Sequence, residues 1–278
     1  MVGNKLQIRV WQVLVNALLL FAVFLLIMPY AYMISASFKE GGEIFSIPIE
    51  LLPQGFYLGN YELLFGETNF VRWFFNSVFV SLSRAALAIV VSVMAGYAFA
   101  KFDFRFKNAL FVFVLATLTL PIYVLIVPLY DMMVTLGWTD RYIALILPFA
   151  AQAIGVFLAR QYLLSIPDEI LDAARVDGAS EWGVFWRVVL PLTTPVMAVL
   201  GILFFTTAWN DFIWPLVVMT EDNKFPVALG LPTLLGPYSQ EYGAVMAGSF
   251  LSTLPIIIVF LIAQRRFIEA LTAGAVKG

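Results

Sequence analysis

Two groups of residues in this 278-residue sequence carry chemistry that an apolar chain would not otherwise keep. The first is Trp209, Asn210, Asp211 and Trp214, an aromatic, amide and carboxylate cluster at the end of the uncharged stretch 188–210. Arg84, inside another apolar stretch, is the only other ionisable residue so placed. A charge held in lipid costs at least about 2.5 kcal/mol, so such residues have a partner or a function. Two readings stand side by side. Arg84 and Asp211 pair as a structural bridge or gate latch, or Asp211, Asn210, Trp209 and Trp214 line a polar, aromatic path for a polyhydroxylated ligand. The second group lies in residues 160–193, where charged and apolar residues alternate at helical spacing around Asp172, Ala173, Ala174 and Gly178.

Composition removes most other chemistries, leaving catalysis by carboxylates or Ser/Lys open. With no Cys there is no thiolate, disulfide or Cys-ligated metal, and with no His the usual general base and commonest metal ligand are missing. There is no GxxxxGK[ST] loop and not even a Gly-Lys pair, so the chain has no phosphate cradle of that kind. A formal charge of −2 leaves no basic surface for nucleic acid.

The elements that must position these residues are membrane helices. The chain is 62% apolar and 12% charged, with a mean hydropathy of +0.93. Soluble proteins are roughly 45–50% apolar and about 25% charged. Crossing about 30 Å of hydrocarbon takes about 20 apolar residues in a helix. The uncharged runs 10–38, 108–130, 142–159, 188–210 and 242–264, with 73–100 broken only by Arg84, give six spans. Their approximate cores are 12–34, 73–99, 108–129, 142–162, 194–215 and 243–263. The first is long and lacks an A-x-A-like cleavage site, so it is expected to be retained. The expected fold class is an all-α membrane protein, one transmembrane domain over 1–278.

Orientation follows from Lys and Arg in the short loops. With six spans both termini share a side, and that side carries Lys5, Arg9, Lys101, Arg105, Lys107, Arg160, Arg175, Arg187, Arg265, Arg266 and Lys277. The other side carries Lys39, Arg72, Arg141 and Lys224. Both termini, loop 100–107 and the long loop up to 193 are therefore expected in the cytoplasm. Loops 35–72, 130–141 and 216–242 face outward.

Loop 160–193 is far longer than a connection needs. Ser165 and Asp168 have capping-box spacing, Pro167 suits an early helical turn and Gly178 suits a C-terminal cap. A second short helix is expected from about Glu181 until Pro191 ends it, and its Trp182, Val184, Phe185, Trp186, Val188 and Val189 need covering. The loop either lies on the bilayer surface as an amphipathic helix or docks into a groove on a partner.

The spacing DAA-x3-G-x9-V-x-LP, from Asp172, Ala173 and Ala174 through Gly178 and Val188 to Leu190 and Pro191, favours docking. It resembles the EAA loop (EAA-x3-G-x9-I-x-LP) of bacterial importer permeases driven by ATP-binding cassettes. Asp stands here for Glu and Val for Ile. IPDEILDAARVDGAS (166–180), WNDFIWPL (209–216), AQRRFIEALTAGAVKG (263–278) and GYAFAKFDF (96–104) are similar to the carbohydrate-uptake branch, specifically its smaller, maltose-type permease subunit.

That resemblance implies a type I importer permease architecture in the cell (inner) membrane of a bacterium or archaeon. It implies a heterodimer with a second permease subunit, a dimer of ATP-binding cassette subunits and an extracytoplasmic sugar-binding protein. This chain would bind no cofactor, with ATP-Mg held by the partner ATPase. Glu169, Asp172, Ala173, Ala174, Asp177, Gly178, Leu190 and Pro191 of the coupling loop 163–193 would meet that ATPase, and the tail Leu271–Gly278 would reach toward it. Loop 216–242 would touch the binding protein, the bland alternative being a mobile loop. In that system the larger permease supplies most of the substrate site. Cargo stays open between oligosaccharides and glycerol-phosphate-type polyols. The rival class is a self-sufficient secondary transporter or channel, which two ionisable residues in spans and the lack of apparent repeated halves disfavour. An intramembrane enzyme is disfavoured by the lack of His, Cys or a clustered carboxylate pair.

Overall fold

A computed structural model describes residues 2–236 and 240–275, with side chains described for 11–236 and 240–264. The tail at 276–278, and the side chains of Lys5, Arg9, Arg265 and Arg266, lie outside the described residues, as does Lys277. The described chain is helical, its only β pairing an isolated bridge between Leu235 and Gln240. Three helices are long and apolar enough to cross a membrane as single rods: Trp11–Ala36, Phe70–Lys101 and Tyr242–Gln264. Three bent pairs pass the same test together, giving up to six spans.

The bends follow local sequence. Lys107–Thr119 and Ile122–Thr135 meet at 94°, where the expected single helix 108–129 is interrupted. Pro121 pushes Leu120 into an extended conformation (ψ 118°), because the proline ring disfavours the helical region for the residue before it. Tyr142–Phe149 and Ala153–Leu163 meet at 44° across Ala150–Gln152. Glu181–Leu192 turns into Thr194–Trp209 at 75°. The helix from Glu181 ends at Leu192, one residue beyond the expected stop at Pro191. The wide π turn Phe185–Val189 precedes it, Leu190 N–H reaching back to Phe185 O, and the bend falls at buried Thr193. Pro255 sits within the last helix without stopping it.

The chain forms two compact units, residues 1–70 with 231–254 and residues 71–230 with 255–278. In the first, the end of the first span, the helix Gly59–Gly66 and the start of the last helix pack closely. A Cβ on Gly243 would lie 2.1 Å from Asn60 Oδ1, and Asn60 donates to the Ser37 and Lys39 carbonyls. In the second unit, Phe70–Lys101, Ala153–Leu163 and Thr194–Trp209 cross at small residues. A Cβ on Gly155 would come within 2.2 Å of Ser92 Oγ and 2.7 Å of the Phe204 ring. Gly155→Leu therefore has no room and should lower the detergent melting temperature, by an overpacking cost of about 1–3 kcal/mol. A melting curve indistinguishable from wild type would contradict that crossing.

Candidate functional site: a cavity at helix breaks and a clamped loop

Three interrupted helices bring their breaks to one cavity of about 410 Å³. Ile122 and Tyr123 follow the Pro121 break, Gln152 lies in the second break, and Asn210 and Asp211 separate Trp209 from the helix Ile213–Val218. Non-helical backbone at membrane depth persists only where it is buried in protein or lines a cavity. Arg84 and Phe149 complete the charged wall. Arg84 Nη1 lies 2.8 Å from Asp211 Oδ2, and its guanidinium carbon lies 3.6 Å from the Phe149 ring centroid. The Arg84 side chain is 6% exposed. The structure thus pairs the two in-span charges and sets the pair in the cavity wall.

The aromatic members of the cluster separate. Trp214 borders the cavity, but its indole N–H donates to Ala144 O at 2.8 Å and its ring meets Phe149 edge-on. Trp209 is not among the lining residues. It is buried, stacked on Phe205 and edge-on to Phe74. Asn210 lines the cavity while donating to Thr206 O at 2.9 Å. Tyr123, Gln152, Thr207 and Phe149 were missed by sequence reasoning. The local signals near them were Pro121 and Pro148, each inside an apolar run.

The second candidate site is the loop. Its first helix runs Asp168–Val176, starting after Pro167. The expected capping box does not form: the helix begins after Pro167 with no side-chain cap, and Ser165 Oγ donates to Tyr162 O at the end of the preceding helix. Gly178 does close the helix. It has φ +86°, its N–H bonds Arg175 O, and Ala179 N–H bonds Ala174 O. That pair of bonds is the Schellman arrangement, which needs a left-handed residue where only glycine is unstrained.

One face of this helix is fixed to the base of the membrane helices. Leu171, 2% exposed, packs with Tyr97, Leu163, Val184, Phe185 and Val189. Ala174 and Leu190 join this cluster, whereas Ala173 and Pro191 are exposed. The two alanines thus face different ways. Val184, Phe185 and Val189 find their cover here, but Trp182 and Trp186 remain open. Polar contacts complete the clamp. Lys101 Nζ donates to Ile166 O and to Asp168 Oδ1, both at 2.6 Å. Arg175 bridges Glu181 and Asp172 at 2.8 Å each, and Tyr97 contacts Glu181. The hydrogen bond from Lys101 holds the Asp168 carboxyl below its usual range, and the one from Arg175 does the same for Glu181. The opposite face carries Glu169, Ala173, Val176 and Asp177, all exposed, with Val176 88% exposed.

A third cluster orders the stretch after the cavity. Asp140, in a left-handed turn at φ +59°, accepts from the Thr220 and Glu221 amides and from Lys224 Nζ at 2.8 Å. Trp73 and Asn76 donate to carbonyls of Asp222, Asn223 and Phe225. Asp222, Asn223 and Phe225 are thus bonded to Phe70–Lys101; Pro237–Ser239 of loop 216–242 lie outside the described residues. Burial works against the Asp140 charge, but Lys224 and the two amides outweigh it and hold the carboxyl well below its usual range. A depressed carboxylate stabilises above its unfolded value of about 3.9 and loses that contribution only as pH falls through the folded one. Asp140→Asn should therefore lower the melting temperature equally across roughly pH 5 to 8. A penalty that changes within that window would contradict the clasp.

Comparisons with known proteins agree with this architecture. Residues 88–272 match the family described as binding-protein-dependent transport system inner membrane component. The arabinooligosaccharides transport system permease protein AraQ of Halalkalibacterium halodurans is 40% identical, covering 93% of this chain and 94% of that protein. The sn-glycerol-3-phosphate transport system permease protein UgpE of Pectobacterium atrosepticum is 30% identical, covering 98% of each. A chain of a bacterial ABC transporter involved in importing the acidic polysaccharide alginate has the same fold, at TM-score 0.81 and 24% identity, covering 93% of this chain and 97% of that one. This chain belongs to the family of binding-protein-dependent transport system inner membrane components, the membrane permeases of such transporters.

Proposed function

We propose that this chain is one half of the translocation pathway of an ATP-driven sugar importer, and that its loop helix Asp168–Val176 carries force from an ATPase it does not contain. The clamped loop supports this most directly. Its inner face is locked to the membrane helices, while Glu169, Ala173, Val176 and Asp177 are left open beside Gly178. A short helix held rigidly on one side and free on the other can pass a rigid-body displacement onward, because packed interfaces switch between discrete arrangements.

In this reading the chain crosses the inner membrane six times, with both termini and residues 163–193 in the cytoplasm. A second permease subunit forms a heterodimer with it. A dimer of ATP-binding cassette subunits holds ATP-Mg and receives the loop helix. An external sugar-binding protein delivers cargo toward residues 216–242. Oligosaccharides are the favoured cargo because AraQ, 40% identical, is named for them, whereas the relative named for glycerol phosphate is 30% identical. The cavity suits a neutral polyol: Arg84, its only lining cation, faces Asp211, and Tyr123, Gln152 and Asn210 offer ring and amide.

Reconstitution tests this. In proteoliposomes the chain alone should move no sugar down an ion gradient, and uptake should require the partner permease, the ATPase and the binding protein together. Sugar uptake by the chain alone would instead establish a secondary transporter. Lys101 offers a finer test of the clamp. Lys101→Met should preserve subunit stoichiometry and ATP hydrolysis but lower sugar uptake several-fold per ATP consumed. Unchanged uptake per ATP would remove Lys101 from the coupling path.

A further inference from the structure

The segment between the first span and the helix Gly59–Gly66 exposes more apolar surface than a water-facing loop tolerates. Ile47 is 96% exposed, Phe56 81% and Leu52 77%, with Phe45, Ile49 and Leu51 exposed as well. Within 44–58 the only charged residue is Glu50, whose carboxylate accepts from the Gln54 amide. We infer that residues 45–56 insert into the bilayer interface as a lipid anchor, in the leaflet where the first span ends.

Three observations choose lipid as the occupant. First, the segment is tied at the level of the span's last turns. Tyr32 Oη donates to Ile44 O, Ser35 Oγ to Leu51 O at 2.5 Å, Lys39 Nζ to Glu50 O, and Tyr57 N–H bonds Phe38 O. Second, these bonds satisfy the Ile44, Glu50 and Leu51 carbonyls from within the chain, which lowers the cost of taking this irregular backbone from bulk water to the interface. Third, the apolar surface continues that of Trp11–Ala36, whose most apolar window has no residue buried. A protein partner would be expected to supply hydrogen bonds, about one per 100–200 Å² of interface. The carbonyls of Ile44, Glu50 and Leu51 already have their donors. Phe45 and Phe56 rest on Tyr242 and Phe38, placing rings at interface level, where aromatic side chains are enriched.

The chain has no Cys, so labels can be placed one at a time. Ile47→Cys and Leu52→Cys would each carry an environment-sensitive nitrobenzoxadiazole label. The assembled transporter, its partner subunits free of accessible thiols, would sit in nanodiscs of phosphatidylethanolamine and phosphatidylglycerol. Both labels should emit blue-shifted and lose intensity when the lipids carry a shallow nitroxide, while Gly42→Cys emits as in water. Emission as in water at 47 and 52 would overturn the anchor. So would a blue shift that shallow nitroxide lipids leave unquenched, since that assigns the surface to a protein partner.

Discussion

Gly178→Val is expected to leave the chain inserted in the membrane but to release the ATP-binding subunits when the complex is purified in detergent. The reason is conformational. Gly178 has φ +86°, and a Cβ there would meet nothing within 4 Å, so the space is open and the backbone is the obstacle. A left-handed residue with a side chain costs roughly 1–2 kcal/mol, and a β-branched one is a genuine outlier. The helix end would relax by losing the bonds to Arg175 O and Ala174 O, which would move Ala173, Val176 and Asp177 out of register. Each 1.4 kcal/mol is about ten-fold in an equilibrium constant, so a loss of transport of roughly 5- to 30-fold is expected. Gly178→Asn tolerates positive φ better and should keep most of the ATPase. If the valine variant held the ATPase at wild-type stoichiometry, the helix end would play no part in docking.

The second large effect concerns the paired charges. Removing one member of a buried ion pair costs about 3–5 kcal/mol, mostly from the charge left behind, whereas replacing both with apolar groups can be nearly neutral. Arg84 is the more enclosed partner, its side chain 6% exposed against 19% for Asp211, so Asp211→Leu strands the costlier charge. Asp211→Leu should therefore lower the melting temperature more than Arg84→Met, and the double variant should recover much of the loss. Strictly additive losses would mean that the two residues do not act as a pair. Asp211→Asn, which keeps the shape, should alter uptake without loss of subunits, as a cavity-wall residue would. Loss of subunits would make Asp211 structural.

Much of this was legible in the sequence because lipid leaves few solutions. The apolar runs mark the membrane helices, since every backbone group in hydrocarbon must be bonded internally. The loop was legible because Gly178 and the alternation of charged and apolar residues at helical spacing obey helix rules that need no tertiary information. The breaks were less so. Pro121 bends its helix by 94°, while Pro255 is absorbed within one, and nothing local to either proline separates the two outcomes. The cavity depends on three breaks meeting, a tertiary fact to which Gln152 and Tyr123 contribute no distinctive pattern. Arg84 and Asp211, 127 residues apart, stood out by rarity, but their pairing rested on the fold. Lys101 looked like one more basic residue at a helix end until the carbonyl of Ile166 and the carboxylate of Asp168 were found beside it.

The measurement closest to the centre of the account is a photocrosslink from the open face of the loop helix. A benzophenone amino acid in place of Val176, which is 88% exposed on that face, would be irradiated in membranes containing the full transporter. An adduct with the ATP-binding subunit is expected, weakened in the Gly178→Val background. Adducts with lipid alone would contradict that docking and return the helix to the bilayer surface.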